Sequence, residues 1–312
     1  MSESMILHHY ESSPFAEKIR LMFGYTNSSW HSLLSPAWPP RPNVDPLSGG
    51  YRRIPIAQQG ADIFCDSALI AQEIAVATNQ PTLDPYKVDG ATLELMQEAQ
   101  GDGFFAAITS VSAPKLLGTM IMNFGPVGTY RFIKDRSGIL DGGTTAAKPA
   151  KDARNIMSGI FDTLEQILGD SEWLGGSVPS AADFAVYHPL WLHLNCGGKF
   201  PSAAKNVLRW YEAVSAFGQG QRTEITQGDA FASAKSGEPR PLPASDSSSE
   251  FEIGQSLEIQ PEDYGVVPVT GLLAAITAER VILKRETRDF GTLHVHFPRA
   301  AYALKSAALD SH

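Results

Sequence analysis

An α/β unit followed by an all-helical unit and a small β-rich unit is the fold class that the sequence predicts, and three changes of texture predict it. Strand-like and helix-like runs alternate as far as Pro81, long helical patterns without strand signals fill the middle, and short β-like runs return after a polar stretch. The boundaries fall at 1–81 for the first unit, 82–222 for the second, 223–248 for a linker and 249–312 for the third. A chain of 312 residues, 43% of them hydrophobic, holds enough apolar material for two or three domains.

Met5 to Leu7 is a short apolar run that reads as a strand. From Pro14 to Tyr25, Phe15, Ile19, Met22 and Phe23 recur at helical spacing, with Glu17, Lys18 and Arg20 between them. The Pro-rich SPAWPPRPNVDPLSGG is a loop, after which Arg53 to Gln58 and Asp62 to Phe64 form two β-like runs split by a Gln59-Gly60 turn. Asp66-Ser67 opens a second helix carrying Leu69, Ile70, Ile74 and Ala77, and Pro81 closes the segment. Between Gly90 and Phe217 the patterns LELMQEAQGDGFFAAITSV, ARNIMSGIFDTLEQIL and AADFAVYHPLWLHL predict helices only. Gln219 to Ser249 is rich in Gly, Ser, Thr, Pro and acids, too polar to build a core, and reads as a linker. From Phe251 to Leu304 the runs SLEI, VPVTGLLAAI, RVILKRE and TLHVHF suit a small antiparallel unit, GLLAAI being open to a helical turn instead, and the final LKSAALDSH reads as a fraying tail.

The balance of 34 acidic and 25 basic residues leaves a net charge of −9 with no dense Lys/Arg run, which argues against a nucleic acid or an anionic membrane as partner. Cys65 and Cys196 lie far apart among apolar or small residues, as unpaired thiols in a reducing compartment do. The opening MSESMILHHYESSPF lacks the basic start and apolar stretch of a secretory signal, so a cytoplasmic location is expected. His294 and His296 share a strand face but have no evident third ligand, and no metal is expected; His8 and His9 point to opposite faces.

Three constellations carry chemistry. Ser13 precedes Pro14 at the start of the first helix, a good cap before a residue that needs no N–H. A serine hydroxyl can accept from a helix amide and still donate outward, and the helix end favours an anion. A roughly hundredfold gain in the thiolate fraction of a bound thiol takes about 2.7 kcal/mol, within reach of one charge-assisted hydrogen bond plus the dipole. Ile54-Pro55 interrupts an apparent strand, either as an ordinary trans proline on an edge or as a cis bond that turns the Ile54 backbone outward to pair with an extended peptide. Asp66-Ser67 precedes an apolar helix and is either a cap or a holder for both ends of an amino-acid group.

The order SPFAEKIRL, then IPI, then CDSALIAQEI resembles the thioredoxin-like domain of the glutathione transferase superfamily, whose members show S/C-P-F/Y, V/I-P and E/D-S in this sequence. LGGSVPSAADFAVYHPLW is similar to the family's G-x-x-x-S/T-x-x-D segment, in which Ser180 and Asp183 make a structural capping pair. The likeness spans residues 5 to 220 and leaves the β-rich extension without a counterpart. It implies a thioredoxin-like first domain in which Ser13 activates the sulfur of glutathione, Ile54 pairs with its cysteinyl part, Pro55 is cis, and Asp66 with Ser67 holds the γ-glutamyl end. Arg41, with Arg53 as competitor, is the candidate for the glycyl carboxylate. Tyr10 lies nearby but precedes the helix. Ala16 stands where a C-x-x-C pair needs its second thiol, which excludes dithiol chemistry at this site.

The function implied is a detoxifying glutathione transferase acting on a small hydrophobic electrophile, with Phe104, Phe105 and Trp38 as candidate pocket walls. Two alternatives stay open: a glutathione-dependent isomerase or dehalogenase, and a non-catalytic glutathione-binding or regulatory protein that uses the C-terminal unit for interaction. The resemblance also implies a homodimer, which the added unit can block or enlarge.

Overall fold

The first unit runs β1 (Ile6–His9), α1 (Pro14–Tyr25), β2 (Ser29–Leu34), α2 (Asp45–Ser48), β3 (Ile56–Gln59), β4 (Asp62–Cys65) and α3 (Ser67–Ala77) in the computed structural model, which describes residues 4–246 and 249–307. β1 lies parallel to β2 and antiparallel to β3, which pairs antiparallel with β4. β2 has no place in the sequence reading: SWHSLL carries polar residues at half its positions, yet Trp30, Ser32 and Leu33 are buried. α1 begins at Ser13 and buries Ile19, Met22 and Phe23, as their spacing predicts. Lys18 and Arg20 are buried with them: Lys18 donates to Gln100 of the second unit at 2.9 Å, and Arg20 is enclosed by Glu17 and the turn ahead of α1.

That second unit holds α4 (Gly90–Gln100), α5 (Asp102–Thr109), α6 (Ala113–Ser137), α7 (Ala150–Asp170), α8 (Ala181–Asn195) and α9 (Lys205–Ser215). α6 bends at Gly125, whose φ of 66° breaks the helix just before Pro126. α8, the helix against α1, starts at a capping box between Ser180 and Asp183. Asp183 is fully buried: one oxygen accepts from the Leu174 amide and from Trp210 Nε1, both at 2.8 Å, the other from the Ser180 amide and hydroxyl at 2.8 and 2.9 Å. One carboxylate thus joins the entry of α8 to α9.

The stretch expected as a linker is built otherwise. It contains β5 (Gln221–Glu224), parallel to β2, and α10 (Gln227–Ser236), capped by Thr226 and Asp229. α10 buries Ala230 and Ala234 against the sheet, a contact made by small side chains that composition alone scores as polar texture. The third unit follows with β6 (Ser256–Pro261), β7 (Val269–Ile276), β8 (Arg280–Thr287), β9 (Gly291–Pro298) and β10 (Tyr302–Ser306). GLLAAI is therefore strand, and the presumed tail is β10 as far as Ser306; its end, 308–312, lies outside the described residues.

The strands form one sheet in the order β10-β6-β7-β8-β9-β4-β3-β1-β2-β5. β9 pairs parallel with β4, Ile63 opposite Val295, so the third unit continues the first rather than hanging from it. Ile54, Ile63 and Cys65 share a core with Leu283, Val295 and Phe297, and Arg280 pairs with Glu73 across the seam at 2.8 Å.

Replacing Asp183 with Ala strands the Trp210 and Leu174 donors and removes the α8 box. We expect a loss on the order of 3 kcal/mol, read as a lower urea midpoint, whereas an unchanged midpoint would remove the box as the anchor of α8.

Candidate active site

Ser13 caps α1 with φ −79° and ψ 117°, its Oγ accepting from the Ala16 amide at 3.2 Å. It is 1% exposed. That bond uses one lone pair and leaves the hydroxyl hydrogen free to donate to an anion. The turn before it is closed by the Ser13 amide donating to the Tyr10 carbonyl at 3.1 Å.

The buried Arg20 holds that turn from below, donating to the carbonyls of Glu11 at 2.8 Å and Tyr10 at 3.4 Å. Its charge is met by Glu17 at 2.6 Å, and one more N–H reaches His9 Nδ1 at 2.9 Å. Because Arg20 can only donate, Nδ1 of His9 accepts, the ring proton sits on Nε2, and Nε2 donates to Ser32 Oγ at 2.9 Å. Burial first, then the Arg20 charge, push His9 down to about 3. His8 is pushed down to about 4 by burial, partly offset by its bond to Gln58. The spacing of α1 shows Arg20 only as one of the charged residues between its apolar positions, and nothing local signals this role.

The Ile54-Pro55 bond is cis. Ahead of it, Arg41 binds the long loop together, donating to the carbonyls of Pro36 at 3.0 Å, Arg52 at 2.7 Å and Ala37 at 3.3 Å. Ser13, Arg41 and Ile54 all border a cavity of about 550 Å³ between the first two units. Phe104 and Phe105 of α5 line it, as does one face of α6 through Met120, Phe124 and Phe132. Trp38 packs on Phe124 from behind at 6.1 Å.

Pro55, Asp66 and Ser67 lie off that cavity wall. Asp66 has φ 83°, a strain of about 1–3 kcal/mol for a side-chain-bearing residue, held by its Oδ1 capping the Ala68 amide at 2.9 Å. Its other oxygen accepts from Tyr302 at 3.0 Å and faces Arg53 at 3.8 Å. Arg53 in turn pairs with Asp263, donates to the Tyr264 carbonyl and lies 4.0 Å over the Tyr264 ring. Tyr264 continues a stack through Phe104 to Phe15, with centroids 6.4 and 4.7 Å apart. The third unit thereby supplies a wall of the cavity and screens Asp66 from it. Tyr264 follows a recognisable β-like run in the sequence, but nothing local tells where its loop lands.

The histidine pair of β9 is accounted for in part: His296 Nε2 donates to Asp62 at 2.8 Å. Among the described residues no group of three or more His, Cys, Asp or Glu side chains is placed to hold a metal ion. Cys65 and Cys196 are both buried free thiols; Cys196 borders the cavity, and burial pushes it up to about 11, against reactivity of its own.

A model described as glutathione S-transferase, N-terminal domain, matches residues 7–82, and one described as glutathione S-transferase, C-terminal domain, matches residues 145–213. Among solved structures, a GST-like protein from Pseudomonas syringae is 30% identical, covers 98% of this chain and 100% of its own, and superposes with a TM-score of 0.79. A glutathione S-transferase from Actinobacillus pleuropneumoniae is 14% identical over 68% of this chain and 86% of its own, TM-score 0.43. FzlA from C. crescentus is 19% identical over 68% and 88%, TM-score 0.45. No curated protein matches the sequence. The Pseudomonas match takes in the third unit as well.

The histidines beneath the turn yield a pH prediction. Both have folded values below the usual 6.5, so at lower pH the unfolded chain takes up protons that the folded chain refuses. Stability should be full above 6.5 and fall as the pH drops toward 5, with a slope of up to about 1.4 kcal/mol per pH unit for each histidine. Urea midpoints measured from pH 7 to 5 check this; a flat profile would contradict it.

Proposed function

The chain belongs to the glutathione S-transferase family, and on that premise we propose that it binds glutathione, favours the thiolate through Ser13 and presents it to a small hydrophobic electrophile. The observation that carries this reading is the buried Ser13 hydroxyl at the amide-bearing end of α1, opening onto a cavity whose far walls are aromatic and aliphatic. Ser13 donates to sulfur while its own oxygen stays tied to Ala16, so the donor is oriented before the ligand arrives. The thiol proton leaves to solvent, the sulfur pair forms a bond to the electrophilic carbon, and the leaving group departs with its electrons. Holding both reactants in one cavity supplies the proximity.

In this reading the Ile54 backbone pairs with the cysteinyl part and Arg41 or Arg53 meets the glycyl carboxylate. Asp66 and Ser67 take the γ-glutamyl end, which requires the Arg53–Tyr264 stack to give way or to join the contact. The position of Tyr264 on the wall and of Tyr302 on Asp66 supports a part for the third unit in ligand binding, more than as a detached interaction module. The pairing of β9 with β4 also leaves that edge closed to a second copy. Isomerisation differs from conjugation in stoichiometry, since it returns glutathione unchanged.

Ser13→Ala should keep its circular dichroism and lose about 10- to 100-fold in kcat/KM for conjugation of 1-chloro-2,4-dinitrobenzene, the worth of one charge-assisted hydrogen bond. Wild-type activity in that variant would take Ser13 out of the mechanism.

A further inference from the structure

Four guanidinium groups border the cavity: Arg41, Arg52, Arg53 and Arg136. Arg53 is matched by Asp263 and Asp66. Of the other three, Arg52 and Arg136 both bond the same oxygen of Asp135, and the Arg41 guanidinium hydrogen-bonds only backbone carbonyls. Asp45 accepts from the Arg41 amide at 2.6 Å and favours the Arg41 charge from there, and Glu11, the acid on the cavity wall, is held by Arg222 at 2.5 Å and Arg20 at 3.7 Å.

The three cations are crowded together. Arg41 and Arg136 both donate to the Ala37 carbonyl, at 3.3 and 3.1 Å, and Arg41 also donates to the Arg52 carbonyl. Arg41 is 1% exposed, and burial followed by the neighbouring Arg52 charge pushes it down to about 10, which still leaves it charged near neutral pH. Three guanidiniums against Asp135 and the amide-bound Asp45, largely out of water, still carry a net positive charge and form a site whose electrostatic complement is an anion. One glycyl carboxylate on Arg41 or Arg53 leaves the Arg52–Arg136 pair in excess.

That pair adjoins the apolar end of the cavity. The Arg136 guanidinium lies 4.6 Å over the Phe132 ring, Phe132 stacks on Phe124 at 4.8 Å, and Tyr10 Oη is within 3.5 Å of Arg136. We propose that the acceptor end of the cavity takes an aromatic acid, its anionic group on Arg52 and Arg136 and its ring on Phe124 and Phe132. The proposal rests on the reading of this cavity as the place where a glutathione thiolate meets its acceptor. It adds the class of that acceptor.

The test is calorimetry of the full chain without glutathione, with 2-naphthoate and 2-naphthamide as matched probes. The acid should bind about tenfold more tightly or better, and Arg52→Gln and Arg136→Gln should each pull the ratio toward one, with Arg136→Lys keeping part of it. A second arm adds glutathione and compares 4-chloro-3-nitrobenzoate with 4-chloro-3-nitrobenzamide. There the thiolate displaces chloride, which leaves with the C–Cl electron pair as the C–S bond forms, and kcat/KM should favour the acid until either arginine is replaced. Equal binding of the two naphthalenes, or a ratio unmoved in both Gln variants, overturns the proposal. Selective naphthoate binding without conjugation upholds the anionic subsite and counts against the transferase reading alone.

Discussion

The parallel pairing of β9 with β4 is the contact on which the rest of this molecule is arranged. Backbone groups at a sheet edge need partners, and here β4 finds them in β9 at the far end of the same chain, so that Ile63 and Cys65 are buried with Val295 and Phe297. Once that edge is joined, the loop from Glu262 to Gly265 reaches the second unit, where the Gly265 amide donates to the Ile139 carbonyl at 2.6 Å. Tyr264 then has a fixed place on the cavity wall, and Tyr302 on β10 has one against Asp66 and Tyr51. The third unit therefore shapes the site through a continuous hydrogen-bonded sheet and a shared core.

The opposite side of the site depends on buried cations. Arg20 organises the turn ahead of Ser13 through two carbonyls, and Arg41 does the same for the loop ahead of Ile54 through three. Each exchanges water for several fixed acceptors, which makes the backbone around an incoming ligand rigid before it arrives. The difference lies in charge: Arg20 is ion-paired with Glu17, while the Arg41 guanidinium bonds carbonyls and no carboxylate.

Much of this was legible in the residues. The cap at Ser13, the proline after Ile54 and the Asp66-Ser67 helix start are local signals, set by backbone requirements that any fold must meet, and each stands where its motif places it. The Ser180–Asp183 box is of the same kind. What could not be read depends on tertiary partners. β2 is half polar yet carries buried Trp30, Ser32 and Leu33, α10 packs through alanines that a hydrophobicity pattern passes over, and Arg20 falls between the apolar positions of α1 yet is buried beneath the turn ahead of Ser13. The screening of Asp66 by Tyr302 and Arg53 joins residues far apart in the chain, and no periodicity encodes it.

In the proposed function the α1 cap lowers the pKa of a bound thiol. Ultraviolet difference absorbance of the thiolate, followed against pH with glutathione bound, measures this directly. Bound glutathione should ionise at lower pH than it does in water, and Ser13→Ala should move the curve back toward the free thiol. A bound thiol that titrates as it does in solution, or a curve indifferent to Ser13, would contradict it.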